Sequence, residues 1–265
     1  MFVATQADAQ INRFMRKTAD GRRVWRSEYF GPSPSPRGDS VLVEDGPEYT
    51  APAAGEIRLP QAFLVEQEAG AVVAPHFHYV DQFQVVAAGA GYLGRHEVAP
   101  LSVHFAGAST GYGPIVPGDD GLAYFTFRAS ADETGAQYLP GKRARMGPGP
   151  RRNVIVERIP QGDPAALAAR TNSEIEYAVA EADGLAVCML RLAPGDTLDA
   201  PDAAQGNGAS MLVAAGALDL EGRPHPAWSC LYVRPDEGVI ALRAGPAGAE
   251  VLYLRYPRRR PQTSD

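Results

Sequence analysis

Two histidines one residue apart, His76 and His78, stand in the run GAVVAPHFHYVDQFQVVAAG, residues 70–89. The run reads as β-strand, and residues two apart in a strand point to the same face. The two imidazoles therefore converge on one side of a sheet, as a shared metal ion requires. The same parity sends Gln82 and Gln84 to one face of the next strand, with Phe83 and Val85 on the other. A polar pair turned into a barrel interior is costly unless hydrogen-bonded, so a ligand, a metal or water must satisfy it. A lone His on a strand is more often a satisfied core or surface residue than a ligand. A pair flanked by glycines is a more specific signal.

The elements around this run are short strands. The stretches 61–67, 92–98, 101–105 and 122–128 are apolar or alternating and are separated by Gly/Pro turns, without helices between them. That pattern argues for an antiparallel sandwich or barrel. The 28 glycines and 23 prolines of the 265-residue chain fit many tight turns better than long helices. The N-terminal 20 residues read as a short amphipathic helix with Ile11, Phe14 and Met15 on one face. A first strand is expected at 25–30, and loops at 31–40 and 45–60. The passage 140–153, PGKRARMGPGPRRN, breaks all periodicity and reads as a linker. Beyond it, VIVERI (154–159) reads as a strand. DPAALAAR reads as a short helix capped by Asp163 with Pro164 in its first turn.

The second half repeats the first. At an offset of 127 residues, Val85–Ala90 falls on Leu212–Ala217, Ser102 on Ser229, Gly121 on Gly248 and Arg128 on Arg255. One register holds without a gap from about residue 82 to 128, and internal repeats change the fold expected. Ala209 then stands at the position of Gln82, and the second repeat has no His-x-His pair. Of the five histidines only His225 lies in it.

The spacing Gly70-x5-His76-x-His78-x3-Gln82-x6-Gly89 resembles the first motif of the cupin superfamily, with Gln82 where the family has Glu. The stretch 105–113, FAGASTGYG, resembles the second motif, with Thr110 at the position of its His. The resemblance implies two tandem all-β jelly-roll barrels, a bicupin with few short helices. The expected division is a first barrel with an N-terminal extension over 1–140, a linker over 141–153, a second barrel without metal ligands over 154–258 and a tail over 259–265. It further implies one divalent transition metal (Fe, Zn, Ni or Mn) in the first barrel. His76 and His78 would hold it, with Gln82 as a fourth ligand or a hydrogen-bonding neighbour. By alternation His104 shares a face with Ser102, and in this family that face is expected to look into the barrel, making a three-histidine site. Asp81 is a further carboxylate candidate, given a bulge. Gln84, Tyr92 and Tyr112 would orient the substrate, and Tyr124 could add a further phenol at the pocket mouth.

Composition excludes several other classes. A net charge of −6 argues against a nucleic-acid surface. The basic runs 143–152 and 258–260 lie in Pro/Gly-rich text. No apolar run reaches the ~18–20 residues of a membrane span, and no signal-peptide h-region is readable, so a cytoplasmic location is expected. Cys188 and Cys230 sit in apolar strand-like runs and read as buried free thiols. No P-loop, Rossmann fingerprint or nucleophilic triad is readable. Three functional readings remain. One is a small-molecule metalloenzyme of dioxygenase, isomerase, decarboxylase or lyase type. Another is a non-catalytic small-ligand-binding bicupin with a vestigial metal site. The third is an oligomerising scaffold. A homodimer is the expected assembly.

Overall fold

The computed structural model describes residues 1–31, 40–41, 56, 58–147 and 151–258. The chain forms two compact units. The first comprises Ala7–Ile159, and the second comprises Met1–Gln6 together with Pro160–Asp265. Both are almost entirely β, as tandem cupin barrels require. The expected loops at 31–40 and 45–60 fall largely outside the described residues, as does the whole of the tail. No helix among the described residues is long and apolar enough to cross a membrane.

The first unit is built on two long strands, Gln82–Leu93 and Ile115–Arg128, paired antiparallel. Their register shifts twice, between Pro117 and Leu122 and between Ala123 and Tyr124, and such bulges bend a sheet toward closure. Val103–Ala106 flanks the first of them and Gln61–Gln67 the second. Arg23–Phe30 and then Arg13–Lys17 continue outward from Gln61–Gln67. A two-stranded ribbon pairs His76–Phe77 with Gln137–Tyr138.

The second unit copies this plan. Its strands Ala209–Leu220 and Cys230–Val233 start and end 127 residues after Gln82–Leu93 and Val103–Ala106 (82 to 209, 93 to 220, 103 to 230, 106 to 233). The backbone copies too. Leu101 and Trp228, at the same offset, both take positive φ, 65° and 69°. Gly89 and Gly216 take 73° and 67°. A Cβ on either glycine would strike a carbonyl oxygen of the paired strand, that of Gly121 or Gly248. Those two turns therefore need Gly both for conformation and for close approach.

Three local expectations change. The N-terminal stretch is not one amphipathic helix. It is a strand at Phe2–Ala4, a six-residue helix at Gln6–Ile11 and a strand at Arg13–Lys17. Ile11 is 84% exposed, while Phe14 and Met15 sit on the strand that pairs with Arg23–Phe30. Strand pairing overrides a weak helical period here. Phe2–Ala4 itself joins the second unit, where it pairs with Cys230–Val233. Finally, the strand expected to open the second barrel, found at Asn153–Val156, pairs with Val103–Ala106 of the first. The capped helix forms as read: Pro164–Ala168 follows Asp163, whose Oδ1 accepts from the Ala166 N–H at 2.8 Å. Cys188 and Cys230 are buried free thiols, and burial pushes Cys188 up to about 12.

Candidate functional site

His76 and His78 lie on and beside a strand only two residues long. Backbone bonds of 3.0 Å in both directions lock His76 against Tyr112. The imidazoles of His76 and His78 meet edge-on with centroids 5.2 Å apart. Each Nδ1 has a fixed acceptor, Ala74 O at 2.8 Å for His76 and Asp132 Oδ2 at 2.5 Å for His78. The Nδ1 protons are thereby placed, and each Nε2 is left as an acceptor. Burial drives both rings toward the neutral form. His76 falls to about 3, helped by His78 and Arg128, and His78 to about 4, with Arg128 adding to burial and Asp132 opposing it. Burial alone would raise Asp132. The His78 bond, Arg128 and the Thr134 N–H outweigh it and hold the carboxyl at about 2.

Gln82 joins the two halves of the array. Its Nε2 donates to the Tyr112 hydroxyl at 2.5 Å, and that hydroxyl donates to His76 Nε2 at 2.7 Å. Its Oε1 accepts from Arg128 Nε and Nη2 at 3.2 and 3.1 Å. Arg128 also donates through Nη1 to Gln61 Oε1 at 2.9 Å and lies 3.2 Å from His78 Nε2 through Nη2. Every member of this set is buried. The array borders a cavity of about 120 Å³ whose walls also include Arg16, Arg26, Phe63, Gln84, Tyr124 and Tyr138.

Other sequence candidates fall elsewhere. His104 is not brought to the histidine pair as a third ligand. Its Nδ1 meets Gln84 Oε1 at 2.9 Å and its Nε2 meets Asn153 Oδ1 at 3.0 Å. Both ring nitrogens are thus engaged, although its ring touches Tyr112 at 5.0 Å between centroids. Gln84 points inward and lines the cavity. Tyr124 does so as well, and burial raises its phenol far above the usual value. Tyr92 is 50% exposed, pairs with Glu97 and Val116 on its strand and does not line the cavity. Thr110 accepts from the Arg152 N–H at 3.1 Å, and Asp81 accepts from the Ala108 N–H at 2.8 Å. Both hold loops. The residues that sequence reading missed are Gln61, Arg26, Arg128 and Asp132. Parity would have found Arg128, because Tyr124, Thr126 and Arg128 share the inward face of LAYFTFR while Phe125 and Phe127 take the other.

As arranged, these groups do not fit a divalent cation. The pair of neutral, Nδ1-anchored imidazoles is what a metal site needs. Yet Tyr112 already donates to one Nε2, and a permanent guanidinium stands beside the other. No carboxylate faces the Nε2 atoms, since Gln82 is neutral and Asp132 lies behind His78. Among the described residues no group of three or more His, Cys, Asp or Glu side chains is placed to hold a metal.

No family model matches the chain, and no curated protein is similar to it in sequence. Solved structures are similar in fold. One is a proposed dioxygenase from Nostoc punctiforme, with TM-score 0.59, 10% identity and coverage of 95% of this chain and 81% of that one. A Bacillus subtilis oxalate decarboxylase variant gives 0.55 at 8% identity, covering 98% and 78%. The bacterial pirin of Escherichia coli in complex with nickel(II) gives 0.51 at 14% identity, covering 93% and 100%. At such identities the likeness carries the fold alone. The chain is a cupin-fold protein, with two tandem barrels of which the first holds a polar interior.

Proposed function

We propose that the first barrel is a small-molecule binding site that works through its hydrogen-bonding array and charge, with Arg128 in the place next to the histidine pair. The carrying observation is the continuous hydrogen-bonded chain Asp132–His78–Arg128–Gln82–Tyr112–His76 beside a cavity of about 120 Å³. Buried polar groups are retained at this density where they organise something in addition to the fold. A volume of this order accepts a molecule about the size of benzene. Native mass spectrometry of the tag-free chain tests the reading. The expected result is a bound small organic molecule, or its uptake from a ligand screen, that is lost in Arg128→Gln.

A second reading keeps the metalloenzyme, and one observation favours it: the edge-on histidine pair with both Nδ1 atoms anchored. His76 and His78 would hold iron, zinc, nickel or manganese, with Gln82 or Tyr112 beside them. Arg128 would have to withdraw from His78. The bound ion would supply Lewis-acid or O2 chemistry to the substrate. Elemental analysis of wild type beside the His76→Ala/His78→Ala variant separates the readings. Near-stoichiometric metal that disappears in the variant favours the second.

A further inference from the structure

Two spaces meet inside the first barrel. The cavity of about 120 Å³ beside the histidine pair shares Gln84 and Tyr124 with a smaller chamber of about 20 Å³. The walls of that chamber include Val86, Leu93, Val103, Ile115 and Leu122. Its remaining polar residues are already engaged. Ser102 Oγ accepts from the Ala99 N–H at 3.0 Å and donates to the Glu157 carbonyl. Both ring nitrogens of His104 are taken by Gln84 and Asn153. A cavity walled by aliphatic groups, with no hydrogen bond to offer, stays dry. A volume of this order has room for about one methyl group.

At the divide between the two spaces the hydrogen bonding is unfinished. Gln84, Tyr124 and Thr126 line the larger cavity, and none is more than 7% exposed. Gln84 is the cross-strand partner of Thr126, and Tyr124 lies two residues along the same face. Gln84 ties one end of its amide to His104 at 2.9 Å. The other end of that amide and the hydroxyls of Tyr124 and Thr126 meet no partner among the described residues. Burial raises the Tyr124 phenol far above its usual value, so it stays a donor. The second barrel leaves no such ends at these positions. At the 127-residue offset Met211 stands for Gln84 and Val251 for Tyr124. Tyr253 stands for Thr126 and donates its hydroxyl to the Pro201 carbonyl at 2.6 Å. Buried polar ends without partners are costly. Water can meet the hydroxyls, but it does not fill the dry chamber beside them.

We propose that the ligand of the first barrel is a small methyl ketone or another compound with an acetyl group. Its carbonyl oxygen accepts from the Tyr124 hydroxyl beside Thr126 and Gln84, and its methyl group enters the apolar chamber. The rest of the molecule lies in the larger cavity, whose walls include Val65 and Val73. This rests on the reading that the barrel holds a small molecule. A carbonyl brings only lone pairs to the hydroxyls, whereas an alcohol adds a proton that needs its own acceptor.

Saturation-transfer NMR titration and thermal shift of the tag-free full chain test this, with 2-pentanone set against its isomer 3-pentanone and against 2-pentanol. The methyl ketone should bind about fivefold more tightly than either, with its acetyl protons the most strongly saturated. Tyr124→Phe should weaken 2-pentanone about fivefold. It should leave the Tm of the ligand-free protein unchanged or raised, since that hydroxyl has no protein partner. Val103→Ile, which narrows the chamber, should remove the preference for the methyl ketone over its isomer. Equal binding of the three probes, or 2-pentanone binding that Tyr124→Phe leaves unchanged, would overturn the proposal while the small-molecule reading stands. So would a bound molecule without an acetyl group in native mass spectra. A ligand-free Tyr124→Phe whose Tm falls by several degrees would make the hydroxyl structural and overturn it as well. If no probe binds and native mass spectrometry finds no bound molecule, both readings fail together.

Discussion

The two barrels share a backbone and differ in what fills it. At the 127-residue offset (76 to 203, 78 to 205), Ala203 and Gln205 stand where the first barrel has His76 and His78. Ala209 replaces Gln82, Met211 replaces Gln84, Leu231 replaces His104 and Val251 replaces Tyr124. Ala203, Ala209, Met211, Leu231 and Val251 all belong to one continuous apolar core. Arg128 has a counterpart, Arg255, but its partners are the carbonyls of Gly184 and Asp202 and the side chain of Gln205. The same arginine therefore ties down a loop in one barrel and faces a cavity in the other. The strand that carries His76 becomes a short 3-10 turn at Ala203–Gln205. Bulges and positive-φ turns specify the barrel, and the inward residues decide whether it holds a core or a site.

The largest expected effect breaks the second barrel at a buried anion. Glu250, 0% exposed, accepts from Arg191 and Arg170 at 2.6 and 2.8 Å and from the Gly162 N–H at 2.9 Å, at the position of Ala123 in the first barrel. Glu250→Ala removes the buried anion that Arg191 and Arg170 share, leaving them only the more exposed Glu176 and Glu174, and should cost about 3 kcal/mol. Urea unfolding followed at Trp228 in a Trp25→Phe background reads this barrel separately.

Acid should act on the other barrel. The folded-state pKa values of His76 and His78 lie below the unfolded value near 6.5, at about 3 and about 4. Between those limits the unfolded chain binds more protons, so stability rises with pH there. Each contribution is complete above the unfolded value and is lost as pH falls, at ~1.4 kcal/mol per unit for each histidine, down to about pH 4 for His78 and about pH 3 for His76. Asp132, held at about 2, extends the loss below pH 4. Trp25 should report a transition at higher pH than Trp228. Simultaneous transitions would show that the histidines do not set the first barrel's acid limit.

A smaller effect sharpens the contrast. Gln84→Met with His104→Leu installs the second barrel's pair in the first. Removing both partners of a buried hydrogen bond avoids stranding one of them, so stability should change by less than about 1.5 kcal/mol. Asn153 loses its His104 partner and sets the sign. Chemical denaturation checks this, and any ligand contact at Gln84 should be lost.

The repeat, the strand rhythm and the histidine pair were readable because they are local or periodic. Parity placed Gln82 and Gln84 on one inward face, where both are found. Sequence did not show what meets them. Arg128 lies 46 positions from Gln82 and 50 from His78, and Asp132 lies 54 from His78. No spacing rule joins such residues until the barrel closes. His104 was placed inward by the same alternation, but Gln84 and Asn153 engage both its nitrogens. Tyr92 shows the converse. Its type fitted a pocket mouth, and its position on the strand leaves it half exposed.

The account turns on Gln82 and Arg128 standing where a metal site needs an anion and room. Gln82→Glu with Arg128→Gln supplies the carboxylate and removes the guanidinium, while His76 and His78 keep their anchors. Titration with Zn(II), Ni(II), Mn(II) and anaerobic Fe(II), followed by elemental analysis after desalting, should show little retained metal in wild type and about one equivalent in the double variant. Wild type that retains about one equivalent, lost in His76→Ala/His78→Ala, would contradict the account.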